Sequence, residues 1–294
     1  MNTPFASLHP IVLFLFFVFA AGFSMFLMHP VFLVISFICA FSYCVYLKGK
    51  KAIKSLGLFL PVVIFAAVIN AAFNHEGITI LVYVNDNPIT LESLIYSLAA
   101  ALMLLGVLLW FSCLNEVMTS DKLMCIFGKI SPSIAILFSM TLRFVPRFSA
   151  QLKKINYAQK CIGRSYDTGG FFTKLRNGVK ILSILITWAL ENAVETADSM
   201  KSRGWGLKGR TSFSGFRFDK RDALSLTAIL ILIAVIFAGL LMGEGRINYY
   251  PAIVLSDFSF FGLVVYISYF LLMAFPLIFS LTEDFKWYRL KSKI

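Results

Sequence analysis

Charge is nearly missing from most of this 294-residue chain. Asp, Glu, Lys and Arg make up 14% of it, against 59% hydrophobic residues and a mean hydropathy of +0.82. A soluble globular domain carries about 25% charged residues, so that class is excluded. Six apolar runs, 11–28, 31–47, 56–73, 91–114, 223–242 and 258–281, have lengths suited to crossing a hydrocarbon core of about 30 Å. Apart from Glu92 at the start of the fourth, none of them holds Asp, Glu, Lys, Arg or His. Ionisable groups at membrane depth are costly and persist where an ion path, proton relay or catalysis needs them. Their absence weighs against a self-contained carrier or channel and against an intramembrane enzyme. Asn70 and scattered Ser and Thr are the only polar groups in the runs, and helix-packing hydrogen bonds account for them.

Other absences narrow the chemistry. No GxxxxGK[ST] loop occurs, so the chain has no P-loop cradle for nucleotide phosphates, and Gly169-Gly170 reads as a turn. The five Cys, at 39, 44, 113, 125 and 161, form no CxxC pair and read as buried reduced thiols. His9, His29 and His75 are isolated near the ends of proposed segments, where they read as interface residues rather than metal ligands. No cofactor, metal site or catalytic constellation is expected. Glu191, Glu195 and Asp198 come nearest to one, and they read better as charge partners of Lys201 and its neighbours. The first apolar run has no Lys or Arg before it and no cleavage pattern after it, so it reads as an anchor.

What charge there is has a pattern. Segments 48–54, 115–222 and 283–294 hold 26 of the 27 Lys and Arg, and with six crossings all three fall on one side. The positive-inside rule makes that side cytoplasmic, with both termini there. The net charge of +12 is then a topological signal, suited to anionic lipid headgroups and giving no reason to expect nucleic acid. The first two runs are short and joined only by His29-Pro30, which leaves a tilted hairpin open, so five to six crossings are expected. The expected fold is an all-α polytopic membrane protein. Residues 1–114 form N-terminal transmembrane helices, 115–222 a cytoplasmic region of crossed amphipathic helices, and 223–294 C-terminal transmembrane helices with a basic tail.

Within 115–222, Ser131-Pro132 opens a helix, because Pro is well accommodated in a first turn. Phe144, Phe148, Leu152, Ile155 and Ile162 form its apolar face, Pro146 should kink it, and Asp167 to Gly170 break it. After Asn177-Gly178 a second helix is expected from Val179 to Arg203, with Leu190, Val194, Ala197 and Met200 on one stripe. Ala189, Ala193 and Ala197 repeat every four residues, a spacing that lets another helix approach closely. Each helix ends on a similar tripeptide, Gly163-Arg164-Ser165 and Ser202-Arg203-Gly204. A cation in a last turn also stabilises its own helix through the backbone dipole. Recurrence at two helix ends points further, to planar guanidinium donors offered to a partner.

Ser131-Pro132-Ser133, Leu142 to Pro146, Ala158-Gln159 before Gly163-Arg164-Ser165, and the run from Ala197 to Gly206 resemble the transmembrane T component of energy-coupling factor (ECF) transporters, the EcfT or CbiQ family. The resemblance covers about 131–242 well, while the first hundred residues match only as generic membrane helices. It implies a non-catalytic subunit in a bacterial or archaeal cell membrane. Its partners would be two ABC ATPase subunits, which bind the ATP, and a membrane substrate-binding (S) subunit for a vitamin or transition-metal ion. By this resemblance Arg164 and Arg203 dock in grooves of the two ATPases. Gly163 and Ser202 stand where the family often has Ala, and Ser165 where Gly is more common. A Gly at 163 is expected to loosen the first helix end by about 0.5 to 1 kcal/mol relative to Ala.

Overall fold

The computed structural model describes residues 3–74, 76–84, 87–164, 170–205, 207, 216–255 and 259–291. In chain order the elements are α1 (Pro10–Phe26), α2 (Pro30–Lys48), α3 (Lys50–Phe73), β1 (Ile80–Val84), β2 (Asn87–Thr90), α4 (Leu91–Val117), α5 (Ser120–Ile130), α6 (Pro132–Cys161), α7 (Phe171–Ser202), α8 (Lys220–Leu241), β3 (Ile247–Asn248), β4 (Val254–Leu255) and α9 (Phe260–Lys291). A single 3-10 turn, Phe5–Ser7, precedes α1. The fold is all-α, with two small antiparallel ladders among the described residues, β1 with β2 and β3 with β4. It divides into two compact units, one of Met1–Leu123 with Phe216–Ile294, the other of Met124–Gly215.

In the first unit, α2, α3, α4, α8 and α9 are long and apolar enough to cross a membrane. Helix α1 has 17 residues. At 1.5 Å per residue it rises about 26 Å, short of a core of about 30 Å. Pro10 and Pro30 sit in the first turns of α1 and α2, where a missing N–H costs nothing. The apolar run at 56–73 begins earlier as a helix, at Lys50, because Gly49 at φ +55° separates it from α2 and the lysines between are good helix formers. Helix α9 likewise outruns its apolar stretch and continues to Lys291.

Phe5, Phe16, Phe17, Tyr43 and Trp110 fill the middle of this unit and are almost fully buried. Rings of Phe5 and Phe16, and of Phe16 and Trp110, meet edge-on at 5.6 and 5.8 Å, the arrangement the ring quadrupole favours. Three polar side chains share this interior. The Trp110 indole N–H donates to Ser36 Oγ at 3.1 Å, and Ser36 and Ser24 hydroxyls pair at 2.6 Å, which ties α1, α2 and α4 together. Cys39, Cys44 and Cys113 are buried free thiols as expected, whereas Cys161 at the end of α6 is exposed. His9 and His29 are buried residues immediately before α1 and α2, and His75 lies outside the described residues.

Two buried polar side chains fasten the unit's helix ends. Asp222, buried in the first turn of α8, accepts from the His9 N–H and the Asp219 N–H, each at 3.0 Å. One carboxylate thus serves the start of α8 and the residue before α1. Lys122, also buried, donates from Nζ to the carbonyls of Ala6 at 2.8 Å and Val117 at 2.7 Å. It satisfies one of the last carbonyls of α4, and burial holds its pKa below the usual lysine value.

The second unit is built on α6 and α7, which pack against each other. Helix α6 begins at Pro132 as the sequence implies and includes Pro146. Helix α7 starts at Phe171, not Val179, and Asn177-Gly178 lies inside it. A turn dipeptide breaks a helix only when the flanking pattern stops. Here Leu175, Val179 and Leu182 keep helical spacing across it, which offsets the cost of about 1 kcal/mol for an internal Gly.

Candidate functional site

Both helices of the second unit end in the same way. At the end of α6, the N–H of Gly163 donates to the Lys160 carbonyl at 3.0 Å and that of Arg164 to Gln159 at 2.9 Å. At the end of α7, the N–H of Gly204 donates to Lys201 and that of Trp205 to Met200, both at 3.0 Å. Each is a Schellman closure, in which a residue in the left-handed region lets the chain fold back on the last carbonyls. The residues there are Gly163 at φ +71° and Gly204 at φ +75°.

The sequence places Gly204 just past its helix, and the backbone agrees. Gly163 differs from expectation: it lies beyond the last turn of α6, so it stabilises the closure instead of loosening the helix. The shared geometry also shows that the two tripeptides are out of register. Measured from the left-handed glycine, Arg164 comes one residue after and Arg203 one residue before. Both arginines are exposed. The Ser202 hydroxyl donates to its own helix at the Ser199 carbonyl, 2.9 Å away, and Ser165 lies outside the described residues.

Contact between the helices runs through Phe148 and Trp188, whose rings meet edge-on at 5.8 Å, and Arg147 sits 6.0 Å over the Trp188 ring. Ala193 and Ala197 are exposed, so the small-residue stripe is not the seam. The larger side chains one position away supply it, since aromatic rings bury more area than methyl groups. Beyond Trp188 the helices leave a cleft of about 580 Å³. Arg143 and Arg147 of α6 line it on one side, Glu195 and Arg203 on the other, with Ser139 and Trp205 also in its wall. Arg164 is not part of it.

Three guanidinium groups and one carboxylate give the cleft a formal excess of positive charge. Among the described residues the only ion pair is Lys286 with Glu283, so Glu195 makes no direct ion pair with any of the three. Sequence reasoning passed over this cluster. The available signal was the spacing of Arg143 and Arg147, one turn apart and therefore on one face.

The outer faces are apolar. Leu175, Val179, Leu182, Ile186, Leu190 and Val194 follow one another at intervals of three or four along α7, and every one is at least half exposed. A stripe of that length uncovered in a folded unit marks a surface for protein or lipid.

A profile of CbiQ, described as cobalt transport protein, matches residues 5–213. The chain belongs to the CbiQ family. Among curated relatives named energy-coupling factor transporter transmembrane protein EcfT, that of Streptococcus thermophilus is 34% identical over 40% of this chain and 44% of its own length. The EcfT of Lactobacillus helveticus is 33% identical over 35% of this chain and 38% of its own. The EcfT of Thermotoga maritima is 25% identical over a longer stretch, 74% of this chain and 79% of the relative. The match to the first two thus spans less than half of their length. Membership in the CbiQ family, with the five apolar helices, makes this chain a multi-pass bacterial membrane protein.

Proposed function

We propose that this CbiQ-family chain is the coupling subunit of an ECF-type ABC importer. It passes ATP-driven motion from two cytoplasmic ATPase subunits to a separate membrane S subunit that holds the solute, a vitamin or a transition-metal ion. ATP is bound by the partners, and the basic segments and both termini face the cytoplasm. The observation that carries this reading is the pair of Schellman-closed helix ends, each holding an exposed arginine on a rigid backbone. A guanidinium so held loses little freedom on meeting a carboxylate or carbonyl of a partner, and its planar fork favours bidentate contact. The exposed apolar stripe of α7 supplies the other grip, on the S subunit.

The test is the double substitution Arg164→Ala with Arg203→Ala. Membrane insertion should be unchanged, while recovery of ATPase subunits with the purified chain and solute uptake should both be lost. Removing one partner of a buried charge-assisted contact costs about 2 to 5 kcal/mol, so each single substitution should already lower uptake. Full recovery and uptake in the double variant would end this reading.

A further inference from the structure

We infer that the second docking point is a socket, in which Arg143 and Arg147 of α6 join Arg203 to receive an acidic segment of the ATPase subunit. The inference rests on the coupling-subunit reading and deepens it. Arg203 is one wall of a cleft of about 580 Å³, and a partner that reaches Arg203 meets the other two guanidinium groups as well. Among the described residues none of these three guanidinium groups forms an ion pair, not even with Glu195 in the same wall.

The shape and chemistry of the cleft favour a polypeptide. Ile136 and Met140 add apolar surface for the stem of a side chain, and Trp205 adds a ring. Ser139 and Ser199 offer hydroxyls that both donate and accept, as a backbone requires. Glu195 opposes any anion in the cleft, and a compact dianion such as a phosphate monoester more than the single charge of a polypeptide carboxylate. Arg147, 6.0 Å over the Trp188 ring, is partly held in place before any partner arrives.

Opposite signs of effect are expected from two changes in one cleft. In nanodiscs of phosphatidylcholine, the Kd of the full chain for its purified ATPase subunits should rise about tenfold or more on Arg143→Gln with Arg147→Gln. Glu195→Gln should lower it, since a repelling carboxylate is removed. The wild-type Kd should weaken with added salt more steeply than that of the Arg143→Gln, Arg147→Gln variant, because fewer charges remain to be screened.

Arg203→Ala separates the two levels of the argument. If Arg203→Ala leaves Kd unchanged, the docking reading itself fails. If it weakens binding while Arg143→Gln with Arg147→Gln and Glu195→Gln change nothing, docking stands and the socket is overturned. An effect of the paired Gln substitutions that appears only when phosphatidylglycerol is added to the discs would assign the cleft to lipid headgroups and also overturn it.

Discussion

At Gly163 a single backbone angle sets the sign of a substitution. With φ at +71° the residue lies in the left-handed region, where a Cβ meets the following carbonyl, although no other atom lies within 4 Å of the place a Cβ would take. Gly163→Ala should therefore destabilise the closure by about 1 kcal/mol, the reverse of what a glycine inside a helix implies. Hydrogen exchange at the Gly163 and Arg164 amides would show it, as protection falling about fivefold with the rest of α6 unchanged. Gly204 was legible in the sequence because the stripe of α7 stops just before it. Gly163 was not, because likeness of two tripeptides suggested that both arginines hold the same slot. Helix ends are set by which carbonyls remain to be satisfied, and those lie three and five residues before their donors, outside the tripeptides.

Elements were easier to read than their joints. Length and apolarity alone located α2, α4, α8 and the membrane-crossing part of α9, since an apolar run of about 20 residues spans hydrocarbon as a helix that satisfies its own backbone. The starts of α3 and α7 were misplaced for one reason: polar or turn-forming residues continue a helix when capping and packing support it. Asp222 is a joint of this kind. Its carboxylate joins the start of α8 to the residue before α1, a contact across more than two hundred residues that no local pattern reveals. Asp222→Ala leaves two backbone donors without that acceptor and should cost about 1 to 3 kcal/mol for each one kept from water. Thermal unfolding of the detergent-solubilised chain should report a lower midpoint than wild type, and Asp219→Ala should shift it less. Equal shifts would mean that the long-range bond adds nothing.

For the whole molecule, the decisive property is the neutrality of its spans. Glu92, the only residue among Asp, Glu, Lys, Arg and His in the six runs, sits in the first turn of α4 and is hydrogen-bonded to Thr79 ahead of β1. The purified chain alone in liposomes should accumulate no solute and hydrolyse no ATP. Adding the ATPase and S subunits should restore both activities, measured as labelled-solute uptake and phosphate release. Uptake by the chain alone would bring back the self-contained carrier. The family of the chain was legible because its residues from Ser131 onward carry specific chemistry. The α6–α7 cleft was not, because it is formed by two faces that meet only after folding. The offset of Arg164 and Arg203 about their glycines also has a geometric consequence. A twofold rotation cannot superpose two handles mounted differently, so even a pair of identical motors would be made inequivalent on seating. The assembly would then have a polarity along the membrane plane, fixed by where one guanidinium falls in its turn.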